Sequence, residues 1–168
     1  MPRKLIELGL IGRSAPPLSR WAERELRPFA LLPAEGAPAL DPGAVMHDAA
    51  GVQTIWLGVH GVSLHSGDAS NYIDNLAAGT PRLWVAMSDG AVQMLTADPY
   101  EGEALATDPG RIVEALAMPP ETAAELAEFA RAHHVHEPFV KRRKDRQPDG
   151  DTPRAPRILP PDQNWIRK

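Results

Sequence analysis

Apolar and polar side chains alternate along several short stretches of the chain, and a period of two residues is typical of β-strands. The pattern predicts six strands, at residues 5–11, 29–32, 53–65, 82–87, 92–97 and 112–117. Asp89-Gly90 separates two of these stretches, and this dipeptide between apolar runs is a strong signal for a hairpin turn. Within the longest stretch, we expect Ile55, Leu57 and Val59 to share one face.

Two segments show helical signals instead. Residues 69–78 place apolar side chains four positions apart, with Asp68 as a capping residue before them and Gly79 where a helix commonly ends. Pro119-Pro120-Glu121 begins the last helix, because proline fits the first turn and an acid suits the positive end of the helix dipole. We expect this helix to continue to the residues before Pro138.

Residues 33–51 and 98–103 lack both periods, and we predict a long loop for the first and an acidic turn for the second. The hairpin and the one-sided alternation favour an α+β fold. It would be a mainly antiparallel sheet or half-barrel of about six strands, with a short helix and a C-terminal helix packed on it. We predict one globular domain over residues 1–140. Residues 141–168 are basic and Pro-rich, which is typical of a tail that is flexible or ordered by a partner.

The composition narrows the functional classes. The 168 residues carry a formal net charge of −4, which argues against a dedicated nucleic-acid binder, because such domains usually carry a basic excess. The absence of cysteine excludes disulfides, thiolate metal sites and a cysteine nucleophile. No apolar run approaches the roughly 18 residues of a membrane span, and the N-terminus has the pattern of a first strand rather than of a signal peptide. We therefore predict a cytoplasmic protein without a membrane span.

Histidines and basic residues cluster where the last helix is expected to end. The helix dipole favours histidine there, and a short basic run at a domain edge is usually solvated or contacts an acidic surface. The histidines could instead bind Zn²⁺ together with His60 or His65, but the spacing of known zinc motifs is missing. We assign no catalytic residue, metal or cofactor. The residues predicted to bind a protein partner are His133, His134, Phe139, Lys141, Arg142, Arg143, Arg146 and Trp165.

An alternative function would use the acidic turn. Asp98, Glu101 and Glu103 are candidates for acid–base chemistry or Mg²⁺ binding, although acids are also common in turns for solubility alone. In an enzyme, or in a small-ligand or metal-binding module, these acids would converge on one pocket with three histidines, His60, His65 and His133. The chain contains neither a Gly-x-Ser-x-Gly nucleophile elbow nor a phosphate-binding loop, which disfavours serine hydrolases and P-loop enzymes.

Several segments resemble a known family of small uncharacterised proteins of proteobacteria. They are SNYIDNLAAGTPRLWV at residues 70–85, TADPYEGE at 96–103, and HHV and PFVKRR within 133–143. The resemblance covers residues 3 to about 146. The genes of that family tend to lie beside those of molybdenum- or tungsten-dependent formate dehydrogenases, and some members are labelled molybdopterin-guanine dinucleotide biosynthesis proteins. The resemblance implies a non-catalytic accessory or assembly role, with a formate dehydrogenase or one of its maturation factors as the protein partner.

Overall fold

The structure, a computed structural model, describes residues 2–134. Seven strands in this part of the chain form two antiparallel sheets. The first sheet consists of β1 (Arg3–Ser14), β2 (Leu26–Pro33), β3 (Val45–Ala49) and β4 (Val52–His65), in the order β2-β1-β4-β3. The second sheet consists of β5 (Arg82–Ser88), β6 (Ala91–Thr96) and β7 (Ile112–Ala117), in the order β6-β5-β7.

Three α-helices accompany the sheets within residues 2–134: α1 (Ala69–Ala77), α2 (Pro99–Ala106) and α3 (Pro120–His133). None of them is long and apolar enough to cross a membrane. The predicted α+β class with mainly antiparallel sheets is confirmed. The sheets stay open rather than curling into a half-barrel, and there are seven strands in the described residues rather than six.

One hydrophobic core joins the two sheets and the helices. Alternate large side chains of β1 and β5 lie in this core, as the period of two predicts: Ile6, Leu8, Leu10, Leu83, Val85 and Met87. On the helices, Leu126 and Phe129 of α3 are buried together with Tyr72 of α1, and the Tyr72 and Phe129 ring centroids are 6.4 Å apart. Burial of large side chains on both sheets is the main stabilising contribution to the fold.

Backbone torsion angles confirm the predicted hairpin turn and the predicted end of the first helix. Asp89 and Gly90 have φ values of 51° and 75°, and a type I′ hairpin turn requires positive φ at both of these central positions. Gly79 has a φ of 81° just beyond α1, where the left-handed conformation favours glycine. Asp68 occupies the expected N-cap position of α1, but its side chain makes no capping hydrogen bond.

A β-bulge in β4 overturns the face predicted for this strand. Leu10 of β1 pairs with Gly58, whereas the next residue of β1 pairs with Trp56, so Leu57 is an extra residue on β4. Gly58 has a φ of 97°, a conformation that side chains other than glycine rarely adopt. Beyond the bulge the alternation is reversed. Val59, predicted to share the face of the buried Leu57, is 45% exposed.

The long loop predicted for residues 33–51 is wrong in part, because it contains β3. β3 pairs with the beginning of β4 at the edge of the first sheet, and all five of its residues are exposed. Because β3 has no buried face, its sequence does not alternate between apolar and polar residues. The other strands were predicted from that alternation, so β3 was not recognised.

The acidic turn predicted for residues 98–103 is wrong, because it is the beginning of α2. The Asp98 carboxylate accepts hydrogen bonds from the N–H groups of Tyr100 and Glu101, at 2.9 and 3.4 Å. Pro99 is in the first turn, where its missing N–H costs no hydrogen bond. The Asp-Pro dipeptide thus acts as a helix start signal.

Candidate functional site

A cleft of about 340 Å³ opens between β4 and β6. The second half of β4, β6 and the beginnings of α1 and α2 form its walls. The two strands belong to different sheets, so no hydrogen-bonded ladder joins them. We call this feature the β4–β6 cleft, and the lining residues important for its chemistry are Gly61, Ser63, His65, Asp68, Tyr72, Asp98 and Glu101.

Carboxylates determine the charge of the β4–β6 cleft. Asp68, Asp98 and Glu101 line it, and among residues 2–134 no lysine or arginine does. Asp98 is only 9% exposed, and the Asn71 side-chain amide donates to its Oδ2 at 2.8 Å. Thr96 Oγ1 accepts a further hydrogen bond from the Asp98 N–H at 3.1 Å. Asp98 is therefore fixed in place, whereas Glu101 is exposed.

Tyr72 links the cleft to the core. It is 2% exposed, and its hydroxyl accepts a hydrogen bond from the His65 N–H at 3.1 Å. Burial raises the pKa of the Tyr72 phenol, the hydrogen bond from His65 opposes this rise, and the negative charges of Asp68, Asp98 and Glu101 add to it. The phenol is therefore neutral at physiological pH and acts as a hydrogen-bond acceptor for the end of β4.

Replacing Tyr72 with Phe should lower the free energy of unfolding by about 1 kcal/mol at neutral pH, because the His65 N–H loses its acceptor. A raised phenol pKa stabilises the folded state below the ordinary value of 10.0, and this contribution is lost as the pH rises through the folded value. The wild type should therefore lose stability more steeply than the variant above about pH 10. Urea denaturation at neutral and alkaline pH measures both effects. A difference between the two proteins that stays constant with pH would contradict this assignment.

The candidate histidines do not converge. His65 lines the β4–β6 cleft together with the acids. His60 Nε2 lies 2.9 Å from the carbonyl oxygen of Leu57, and the His133 ring lies edge-on against Phe129 with centroids 4.5 Å apart. Neither His60 nor His133 lines the cleft. Within residues 2–134, no three His, Asp or Glu side chains are placed to hold a metal ion.

Two of the residues predicted to bind a partner lie in the described part of the chain. His133 is the last residue of α3, and the His134 N–H donates to the carbonyl oxygen of Ala130 at 2.8 Å. The others lie outside the described residues: Phe139, Lys141, Arg142, Arg143, Arg146 and Trp165. Partner-binding by this set stays a prediction.

A second surface lies beside the connection between β1 and β2. A groove of about 600 Å³ opens there, and we call it the loop groove. Leu18 at the groove is fully exposed, and the neighbouring Trp21 is 82% exposed. Apolar side chains that are rimmed by polar ones mark interaction sites when they are contiguous. The groove is lined by apolar side chains and by charges of both signs: Pro16, Pro17, Leu18, Phe29 and Leu116, with Arg13, Arg27, Glu23, Glu25 and Glu114.

Arg24 anchors the loop that carries these exposed side chains. Its Nε donates to Ser14 Oγ at 2.8 Å, and its guanidinium also donates to the carbonyl oxygens of Ser14 and Gly51. On the same loop, the Arg20 guanidinium lies over the Trp21 ring, 4.7 Å from the ring centroid. The exposed Trp21 is thus presented on an ordered loop, which reduces the entropy lost when a partner binds.

A comparison with known families supports one part of the resemblance noted in the sequence, namely that the family is uncharacterised. The model of a family described as protein of unknown function (DUF3305) matches residues 7–143. The chain belongs to the DUF3305 family. No curated protein and no solved structure matches it. Membership of an uncharacterised family is therefore confirmed, and a connection with formate dehydrogenase is a matter of proposal.

The sequence pointed to only part of these surfaces on the DUF3305 chain. His65, Asp98 and Glu101 were candidates, and the fold brings them into one cleft. The loop groove was missed, although a signal was present. Leu18 and Trp21 stand in a segment without strand or helix periodicity, so no buried face is available to them.

Proposed function

We propose that this DUF3305 protein is a non-catalytic accessory protein that binds a protein partner through the loop between β1 and β2 and the loop groove beside it. The observation that carries the proposal is the presentation of Trp21, which is 82% exposed on a loop that Arg24 anchors to the sheet. Trp is enriched at protein interfaces and among the residues that contribute most to binding. Leu18, on the same loop, and Phe29, in the loop groove, are further exposed apolar side chains.

A molybdenum- or tungsten-dependent formate dehydrogenase, or one of its maturation factors, is the partner we propose. The family resemblance of residues 70–85, 96–103 and 133–143 supports this choice. The predicted contact residues Lys141, Arg142 and Arg143 would contribute a basic surface, which suits an acidic region of the partner.

Replacing Trp21 with Ala should weaken binding of the partner by at least about tenfold, because a truncated hot-spot residue typically costs about 2 kcal/mol. The full-length chain, immobilised on resin, would be tested for capture of formate dehydrogenase and its maturation factors from the native host. The affinity for a captured factor would then be measured with purified proteins. Leu40→Ala is the matched control, because Leu40 is also an exposed apolar side chain, at 45%, but belongs to the connection between β2 and β3 rather than to the loop that carries Trp21.

Different outcomes test the binding surface and the identity of the partner. Equal affinity of the Trp21→Ala and Leu40→Ala variants for a captured factor would show that the loop between β1 and β2 that presents Trp21 is not the binding surface. Capture of neither formate dehydrogenase nor a maturation factor by the wild type would overturn the proposed partner. Since both side chains are exposed, the thermal unfolding of both variants should match that of the wild type.

A further inference from the structure

The second half of β4 has a free edge in the described part of the chain. One edge of β4 pairs with β1 along its whole length, from Gln53 to His65. On the opposite edge, β3 pairs only with residues from Val52 to Ile55. Among residues 2–134, no strand pairs with β4 on this side beyond Trp56.

The hydrogen bonds at both ends of this edge show which backbone groups point outward. Near the beginning of β4, Trp56 accepts from the Gly43 N–H and donates to the Ala44 carbonyl oxygen, on the side of β3. At the end of β4, the N–H of His65 donates to the Tyr72 hydroxyl rather than to β1. Backbone groups alternate in direction along an antiparallel strand, with one reversal at the bulge.

The same alternation places the N–H and C=O groups of Val59, Gly61 and Ser63 on the free edge. These residues face Gly9, Glu7 and Leu5 of β1 as pairs without hydrogen bonds, which leaves their backbone groups available on the other side. Gly61 and Ser63 are exposed and line the β4–β6 cleft. Because Gly61 has no side chain, the solvent-exposed atoms of this residue are backbone atoms.

An exposed strand edge is a template for an added strand, and proteins commonly blunt such edges with lysine or proline. The stretch from Val59 to Ser63 contains neither. The surrounding charge instead favours a particular kind of added strand. Asp68, Asp98 and Glu101 border this edge, and the part of the chain that the structure describes adds no lysine or arginine to the cleft lining, so this lining attracts positive charge.

We propose that the β4–β6 cleft binds a basic, extended peptide segment of a protein partner, which adds a short strand to the free edge of β4 at Val59–Ser63. In this mode of recognition, hydrogen bonds between main chains supply affinity, and side chains at alternate positions supply specificity. Lysine or arginine at alternate positions of the peptide would meet Asp68 and Glu101. This surface is separate from the loop groove, so the inference goes beyond the proposed function and does not depend on it.

The test uses the full-length chain and a fluorescein-labelled heptapeptide in which lysine alternates with valine. Binding is measured by fluorescence anisotropy, and the Gly61 and Ser63 amide signals are followed by NMR. We expect saturable binding with slower hydrogen exchange at both amides. Methylation of the peptide's backbone nitrogens leaves its charge unchanged, and should weaken binding by at least about tenfold because main-chain hydrogen bonds are lost.

Glu101→Gln and Glu103→Gln form a matched pair of variants for the charge. Both residues are exposed on α2, but only Glu101 lines the cleft. Removing the charge of Glu101 should weaken binding by about threefold, whereas the Glu103 variant should bind like the wild type.

Three results would overturn the proposal. Equal binding of the N-methylated peptide would show attraction by charge without strand addition. Equal weakening in the two glutamate variants would show that only net charge acts. Unchanged exchange at Gly61 and Ser63 would place the peptide elsewhere on the protein.

Discussion

Replacing Asn75 with Leu is expected to lower the free energy of unfolding by about 3–5 kcal/mol, the largest effect of the substitutions considered for this protein. Asn75 is a helix residue of α1 but is only 4% exposed. Its Nδ2 donates to the carbonyl oxygens of Arg82 and Ala97, both at 2.8 Å. Its Oδ1 accepts from the Arg82 N–H at 3.0 Å.

The size of this effect follows from the groups that Asn75 satisfies. A leucine of similar volume would leave the Arg82 N–H and the Arg82 and Ala97 carbonyls without these partners. A buried polar group left unsatisfied costs about 1–3 kcal/mol. The bond to Ala97 is buried and the two bonds to Arg82 are partly buried, and the gain from one apolar side chain does not offset the loss of all three. Asn75 also joins α1 to the beginning of β5 and to the end of β6, so the loss would loosen the junction of these elements.

Chemical denaturation of the full-length chain, followed by tryptophan fluorescence, measures this effect. Asn71→Ala is the matched control on the same helix. Within residues 2–134, the Asn71 side chain makes one hydrogen bond, to Asp98. Without it, the Asp98 carboxylate would still accept hydrogen bonds from the N–H groups of Tyr100 and Glu101. Replacing Asn71 should cost about 1 kcal/mol. If both variants lost the same small amount, the contribution assigned to the Asn75 bonds would be wrong.

Replacing Gly102 with Ala should lower the free energy of unfolding by about 2 kcal/mol, against the trend of helix propensity. Within a helix, Ala is normally favoured over Gly by about 1 kcal/mol. Gly102 lies inside α2 and is buried, however, and an added Cβ would overlap the indole ring of Trp84 on β5. Overpacking of this kind typically costs about 1–3 kcal/mol, and here the contact involves a rigid ring rather than the end of a flexible side chain.

The sign of the change distinguishes the two effects. If propensity were dominant, the Gly102→Ala variant would be more stable than the wild type, and the close packing of α2 on Trp84 would be disproved. Gly67→Ala is the control, because within residues 2–134 no atom outside its own chain neighbours lies within 4 Å of the Cβ it would add. Its stability should lie within about 0.5 kcal/mol of that of the wild type. A shift in the emission of Trp84 should accompany only the Gly102 substitution.

The Asn75 and Gly102 environments also show where prediction from sequence reaches its limit. The helix around Asn75 was predicted from the spacing of Tyr72 and Leu76 and from Gly79 at its end. That Asn75 would satisfy backbone groups of β5 and β6 could not be predicted, because its partners are 7 and 22 residues away. Gly102 lies in the segment predicted to be a turn, and glycine there favours a turn over a helix unless packing requires it.

For the candidate surfaces too, the sequence identifies some of the residues, whereas only the fold shows how they are arranged. The sequence identifies the acidic segment and His65 as candidates for binding or catalysis. That His65, Asp98 and Glu101 line one cleft depends on how β4 approaches β6 in the folded chain. The free edge of β4 depends on β3, which the sequence did not reveal because its residues are exposed. The loop groove requires the anchoring of Arg24 to Ser14 and Gly51, residues 10 and 27 positions away.

Local signals in the sequence determined the α+β class, the hairpin at Asp89-Gly90, the short helix that ends before Gly79, and the beginning of the last helix. These features follow from side-chain period and backbone preference, which act over a few neighbouring residues. Tertiary structure alone decided the pairing of β3 with β4 and the packing of α2 against Trp84. Each of these depends on contacts between distant segments, and such contacts also create the free strand edge and the loop groove.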